Sequence, residues 1–193
     1  MRVGLFGGTF DPPHLGHLVT AVNVRHVLKL DLVVLMVAND PWQKHGTREV
    51  ASAHDRLAMV QAAIAGVEGL SAGDDEILRG GPSFTADTVA TLQTRYPGAE
   101  IFTIVGDDAA AKFGSWQRSH EIAKLSTLVV VERPGSPMAP PTEFSWRRVE
   151  VPRLEVSSSD LRARFTDGRP LEYLISDDVL QVIASRGLYG TKK

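Results

Sequence analysis

Gly7-Gly8-Thr9-Phe10-Asp11-Pro12-Pro13-His14-Leu15-Gly16-His17 is the stretch that decides the fold. It follows an apolar run over 2–6 and precedes a segment of helical spacing over 15–28. Strand, tight loop and helix in that order open a βαβ unit. In an open parallel sheet, ligands bind at the carboxyl ends of strands, and the next helix offers N–H groups and partial positive charge to an anion. The loop is therefore placed for phosphate. Gly7 and Gly8 let the backbone approach a ligand, while Pro12 and Pro13 stiffen the turn into the helix. His14 and His17 are three positions apart, so both imidazoles can project from one side of the first helical turn. Taken alone, H-x-x-H reads as two surface histidines, or as half of a zinc site. Zinc needs further ligands, and the chain has neither cysteine nor H-E-x-x-H.

Working outward, short β-branched runs alternate with helical spacing, the pattern of an α/β protein with a parallel sheet. Strands are expected over 2–6, 32–37, 101–105, 127–131 and 147–151, with a weaker one near 76–79. The 32–37 run is apolar throughout, as for a strand covered on both faces, and is expected to be central. Helices are expected over 15–28, 53–64, 86–96, 120–125, 160–165 and 177–185, with Thr85 as the N-cap of the third. The proline-rich segment 134–141 reads as an exposed loop. Neither G-x-G-x-x-G nor G-x-x-x-x-G-K-[ST] occurs, which removes the ordinary dinucleotide and P-loop readings.

Composition sets the outer limits. The chain has 193 residues, 43% apolar and 23% charged, enough for one compact domain with a real core. With 21 basic against 23 acidic residues, no global field draws it to nucleic acid or anionic lipid. Its partners are expected to be small molecules, with a homo-oligomer left open. Zero cysteines exclude a disulfide framework, a thiolate nucleophile and cysteine metal sites. The longest apolar run, Leu32 to Ala38, falls far short of the about 20 residues that span a membrane. The start of the chain lacks a signal-peptide pattern, so a cytoplasmic protein is expected.

A second constellation is Val156-Ser157-Ser158-Ser159-Asp160-Leu161-Arg162. Serines at a helix start cap it and donate hydroxyls, and an arginine one turn in can present a bidentate fork to phosphate. By itself it reads equally as an ordinary cap and a solvated arginine. The two constellations together resemble the nucleotidyltransferase superfamily signatures. The first, G-x-F-x-P-x-H-x-G-H, is matched by Gly8, Phe10, Pro12, His14, Gly16 and His17; the second, I-S-S-T-x-[IL]-R, is matched with Val156 for Ile and Ser159 for Thr.

The resemblance runs along nearly the whole chain and narrows to the bacterial nicotinate mononucleotide adenylyltransferases. Gly81-Pro82-Ser83-Phe84-Thr85-Ala86-Asp87-Thr88 is similar to G-P-S-Y-T-x-D-T, with Phe84 for Tyr. Gly106-Asp107-Asp108 with Trp116 is similar to G-A-D and a downstream Trp, and Tyr173-Leu174 and Leu188-Tyr189 also match. Pro41-Trp42-Gln43-Lys44 stands where many members have P-P-H-K. The resemblance implies a Rossmann-like open parallel sheet with helices on both faces, of nucleotidyltransferase type. It implies a single domain over 1–193 with a small helical part from about 157, and adenylyl transfer from ATP to nicotinate mononucleotide with Mg2+. His14, His17 and Arg162 are then the catalytic residues. Gly8, Thr9, Phe10, Gly106, Asp108, Ser158 and Ser159 join them at ATP, while Asn39, Lys44, Thr85 and Trp116 hold the mononucleotide. No protein-held metal is implied. Rival readings keep the chemistry but change the acceptor to nicotinamide mononucleotide, phosphopantetheine or a polyol phosphate, or keep the fold without catalysis. Trp116 as a core aromatic and Lys44 as a solvated lysine are the plain alternatives for those two residues.

Overall fold

The computed structural model describes residues 1–40, 50–132 and 139–191. Its sheet has strands β1 (Arg2–Gly8), β2 (Leu32–Val37), β3 (Leu70–Gly73), β4 (Glu100–Gly106), β5 (Thr127–Glu132) and β6 (Trp146–Glu150), all parallel, in the order β3-β2-β1-β4-β5-β6. Chain order reverses between β1 and β4, where Leu5 stands opposite Thr103 and Phe6 opposite Ile104. That switch point opens a crevice at the carboxyl ends of the two strands.

Period-two alternation sends side chains to two cores. From β2, Val33, Leu35 and Val37 face helices α1 (Leu15–Leu28) and α2 (Ala53–Ala63), meeting Ala21, Val24, Leu28 and Val60. Val34 and Met36 face the other side, with Ala86, Val89 and Leu92 beyond them. Helices thus cover both faces, and each fully buried aliphatic contributes about 1.5–3 kcal/mol. The strand expected to be central is buried but lies one place from the edge; β1 and β4 hold the middle. A strand covered on both faces is uniformly apolar wherever it sits inside the sheet, so burial could not rank it.

Two expectations need correction. Residues 76–79 form part of a short helix, α3 (Asp75–Arg79), and the strand lies earlier, at β3. The sequence Leu70-Ser71-Ala72-Gly73 has no β-branched residue, yet it pairs with 33–36 because β2 offers an open edge. Acidic Asp75 and Glu76 in the first turn and Arg79 in the last favour the helix. The N-cap of α4 (Thr85–Arg95) is Phe84, with extended backbone; Thr85 is already helical. Ser83, the better capping side chain, instead accepts the Asn39 N–H at 2.9 Å.

Beyond β4 come the short α5 (Asp107–Ala111) and then α6 (Ser119–Leu125). After β6 the chain builds α7 (Ser158–Asp167) and α8 (Asp177–Arg186), where Leu161, Ile175, Val179 and Ile183 close a further core on Met59 of α2. An ion pair from Arg186 to Asp55 at 2.7 Å ties α8 to α2, and its hydrogen bond holds the Asp55 carboxyl below its ordinary pKa.

Candidate active site

A cleft of about 230 Å3 lies at the switch point. Leu5 to Thr9 and Thr103 to Gly106 form its floor, with Ser83, Phe84, Thr85, Trp116, Gln117 and Glu76 on the flank toward α4 and α5.

The first loop is built around its histidines. His14 is the N-cap of α1, is buried, and its backbone N–H donates to Nδ1 of His17 at 3.2 Å. This is the reciprocal arm of a capping box, with histidine where Glu or Gln usually stands. The two rings stack at 3.7 Å between centroids, and Phe10 presents its edge to His17 at 5.0 Å. Because Nδ1 of His17 accepts, a neutral imidazole carries its proton on Nε2, the other side of the ring. The glycines of the signature answer to packing. A Cβ on Gly8 would lie 2.8 Å from the Phe10 ring, and one on Gly16 would lie 3.1 Å from both the His14 ring and Val156. Gly16 thus seats the second signature against the first. The helix end offers less backbone to an anion than its sequence suggests. The Leu15 N–H goes to the Leu174 carbonyl at 3.0 Å and the His17 N–H to His14 at 2.9 Å.

The second signature docks on the same loop. Ser157 caps α7 by accepting the Asp160 N–H, while the Ser158 hydroxyl donates to the Pro12 carbonyl at 2.9 Å. Arg162 donates from Nη1 to the Asp11 carbonyl at 2.6 Å and from Nη2 to the Ser159 hydroxyl at 3.0 Å. Nη1 also lies 3.8 Å from the Asp11 carboxylate, and the Arg162 side chain keeps 18% of its surface exposed. Arg162 is therefore not a solvated helix arginine. Histidines, serines and arginine from opposite ends of the chain come together.

Sequence reading gave no role to three residues that hold this arrangement. Arg56 of α2 is 1% exposed, and its guanidinium donates to the carbonyls of Ala51, Thr9 and Asn39 at 2.9, 2.8 and 3.1 Å. Asp11 is equally buried, and Tyr189 reaches it from the last turn. A signal for Arg56 existed: with Met59 and Val60 it follows the i, i+3, i+4 spacing of the buried face of α2.

Of the first loop only Gly7, Gly8 and Thr9 line the cleft, with His14, His17, Ser158, Ser159 and Arg162 outside the lining, whereas Thr85 and Trp116 line its wall together. Trp116 is half-buried and packs on Phe113 at 5.3 Å, so it belongs to the core edge and to the cleft at once. Glu76 is buried there, accepting from the Thr88 hydroxyl at 2.6 Å. Asn39 does not line the cleft; it braces the approach to α4, donating from Nδ2 to the Gly81 carbonyl at 2.9 Å. Gly106 lines the cleft, whereas Asp108 sits exposed in the first turn of α5, outside the lining. Lys44, with Pro41, Trp42 and Gln43, lies outside the described residues.

A doubly wound parallel sheet with paired imidazoles, serines and an arginine at its switch point defines a nucleotide-binding transferase class, where anionic phosphate is met by donors on rigid elements. The chain belongs to the cytidylyltransferase-like family, whose model matches residues 5–164. A "probable nicotinate-nucleotide adenylyltransferase" of Corynebacterium kroppenstedtii is 43% identical, covering 97% of this chain and 90% of its own. Another so named, from Exiguobacterium sibiricum, is 40% identical over 99% of this chain and 100% of its own. The nicotinic acid mononucleotide adenylyltransferase of Plasmodium falciparum, solved with NaAD, superposes with a TM-score of 0.79 at 16% identity, covering 99% and 98% of the two chains. That likeness carries the fold.

Proposed function

We propose that this protein transfers the adenylyl group of ATP to nicotinate mononucleotide, giving nicotinate adenine dinucleotide and pyrophosphate in NAD biosynthesis. The observation that carries the reading is the union of the two signatures, with stacked His14 and His17 and the Arg162 fork gathered on one loop beside the cleft. Names at about 40% identity over nearly the full chain support the acceptor.

A phosphate oxygen of the mononucleotide attacks the α-phosphorus of ATP. The bond from that phosphorus to its β-bridging oxygen breaks, and pyrophosphate leaves with the electron pair. With a second pKa near 6 the attacking phosphate is largely dianionic at neutral pH, so no catalytic base is needed. The protein contributes position and charge. His17, through Nε2–H, and His14 stabilise charge on the triphosphate, and Arg162 grips the β- and γ-phosphates with the Ser159 hydroxyl and the backbone of Ser158, whose own hydroxyl is given to the Pro12 carbonyl. Backbone N–H groups of Gly8, Thr9 and Phe10 add fixed dipoles. Gly106 and Asp108 take the adenosine ribose, Asn39 and Lys44 serve the mononucleotide phosphate, and Thr85 and Trp116 hold the nicotinate ring. Helix α4 opens at the cleft with no side chain capping it, which suits a ring carboxylate better than an amide. Among the described residues no three His, Asp or Glu side chains gather as a metal cage. Mg2+ carried on the triphosphate oxygens would neutralise the leaving group. No helix among the described residues is long and apolar enough to cross a membrane.

An acceptor panel tests the reading. Pyrophosphate release from MgATP is measured with nicotinate mononucleotide, nicotinamide mononucleotide, phosphopantetheine and a polyol phosphate, and nicotinate mononucleotide is expected to turn over fastest. A faster rate on another acceptor reassigns the substrate. No release with any of them leaves a binding module.

A further inference from the structure

We infer that Tyr189, at the end of the chain, is a positioning residue for the phosphate loop, acting through the buried Asp11. The inference rests on the function proposed above. The Asp11 carboxylate is 1% exposed, accepts the Tyr189 phenol at 2.7 Å and the Ala51 N–H at 3.3 Å, and stands 3.8 Å from the Arg162 guanidinium. A carboxylate buried so completely is tolerated only when donors hold it. Its place in the loop is therefore set by those donors, and Tyr189 supplies the shortest of these contacts.

The tail is itself fixed to the helix that carries Arg162. Tyr189 lies in the turn Leu188–Gly190 with φ of 55°, and its ring stacks on Phe165 at 5.4 Å. Phe165 and Arg162 are three residues apart on α7, hence on one face. One face of α7 thus reaches Asp11 twice, directly through Arg162 and indirectly through Phe165 and Tyr189. Ring stacking and the phenol hydrogen bond together close a loop of contacts around Asp11, Pro12 and the helix start, where the Leu174 carbonyl also takes the Leu15 N–H. A tyrosine that merely filled the core would need only its ring. The hydroxyl aimed at the carboxylate is what couples the tail to the ATP side of the cleft.

Tyr189→Phe keeps the ring and removes the hydroxyl. It is expected to raise KM for ATP about tenfold, the effect of one lost charge-assisted hydrogen bond, with KM for the mononucleotide within about twofold. Backbone amides of residues 9–17 should exchange hydrogen faster, read by mass spectrometry on the full chain. Ile183→Val, in the core of the same helical region, is the control: it lowers Tm and leaves KM for ATP unchanged. The double variant Tyr189→Phe/Asp11→Asn should be within about twofold of Asp11→Asn alone, since both act through one carboxylate. Additive losses, unchanged exchange over 9–17, or an Ile183→Val variant that raises KM for ATP equally would overturn the inference. If the wild type releases no pyrophosphate, the proposed function falls, and the exchange measurement still decides the role of Tyr189.

Discussion

The cleft and the loop beside it, the acceptor and phosphate ends of the proposed site, are built differently. At the phosphate end, residues 9–15 receive hydrogen bonds from Arg56 of α2, from Ser158 and Arg162 of α7 and from Tyr189, and give one to Leu174. At the acceptor end, Trp116 rests on ring packing with Phe113, and two residues on, an exposed ion pair joins Arg118 to Asp87 of α4. In the proposed reaction charge develops at the phosphate end, and donors stabilise a transition state well only when they need not reorganise. In that reaction the acceptor end recognises a flat ring, which contact area alone achieves. The first is held by several buried or half-buried long-range hydrogen bonds; the second rests on ring packing and an exposed ion pair.

Breaking the phosphate end should be the more costly. Arg56→Met removes the buried guanidinium and leaves three carbonyls without their donor, so a loss of about 4 kcal/mol or more is expected in denaturant melts. A loss below 1 kcal/mol would mean the loop stands without it. His17→Ala is expected to lower kcat about a hundredfold, by analogy with removing one oxyanion donor. His17→Gln sharpens the point: glutamine still accepts the His14 N–H, so Tm should recover while kcat stays low. Recovery of kcat with Gln would reduce His17 to a cap.

Smaller effects are expected at the acceptor end. Trp116→Ala should raise KM for the mononucleotide about tenfold and leave KM for ATP within about twofold; equal weakening of both would return Trp116 to the core. Arg118→Gln cuts the tie to Asp87 and should raise the same KM by only about two- to threefold, because exposed ion pairs are weak. That increment should vanish in high salt, where the wild type loses the pair as well.

The smallest effect belongs to neither end. Arg186 holds the Asp55 carboxyl below its ordinary pKa, so the pair's stabilisation is complete above the unfolded value of 3.8 and is lost as pH falls through the lower folded one. Asp55→Asn should cost less than about 1 kcal/mol near neutrality and nothing in strong acid, measured as Tm against pH.

The uneven legibility of the site has the same root. His14, His17 and Ser157 to Arg162 could be read because the loop and the caps are local: a strand, a glycine pair and a helix start within a dozen residues fix one another. Helix α1 was placed at its observed bounds for that reason. Strand β3 could not be read, because its four residues pair by lying against the β2 edge and carry no strand preference of their own. The sequence by itself determined the alternation that makes a parallel sheet, and the loop and caps that set His14, His17 and residues 157–162 at helix starts. Only the tertiary structure decided that α7 folds back on the first loop, that Arg56 and Asp11 are buried as its braces, and that Tyr189 lies beside Asp11, 178 residues away along the chain. Contacts across such separations are set by where whole helices pack, and no local period in the chain records that.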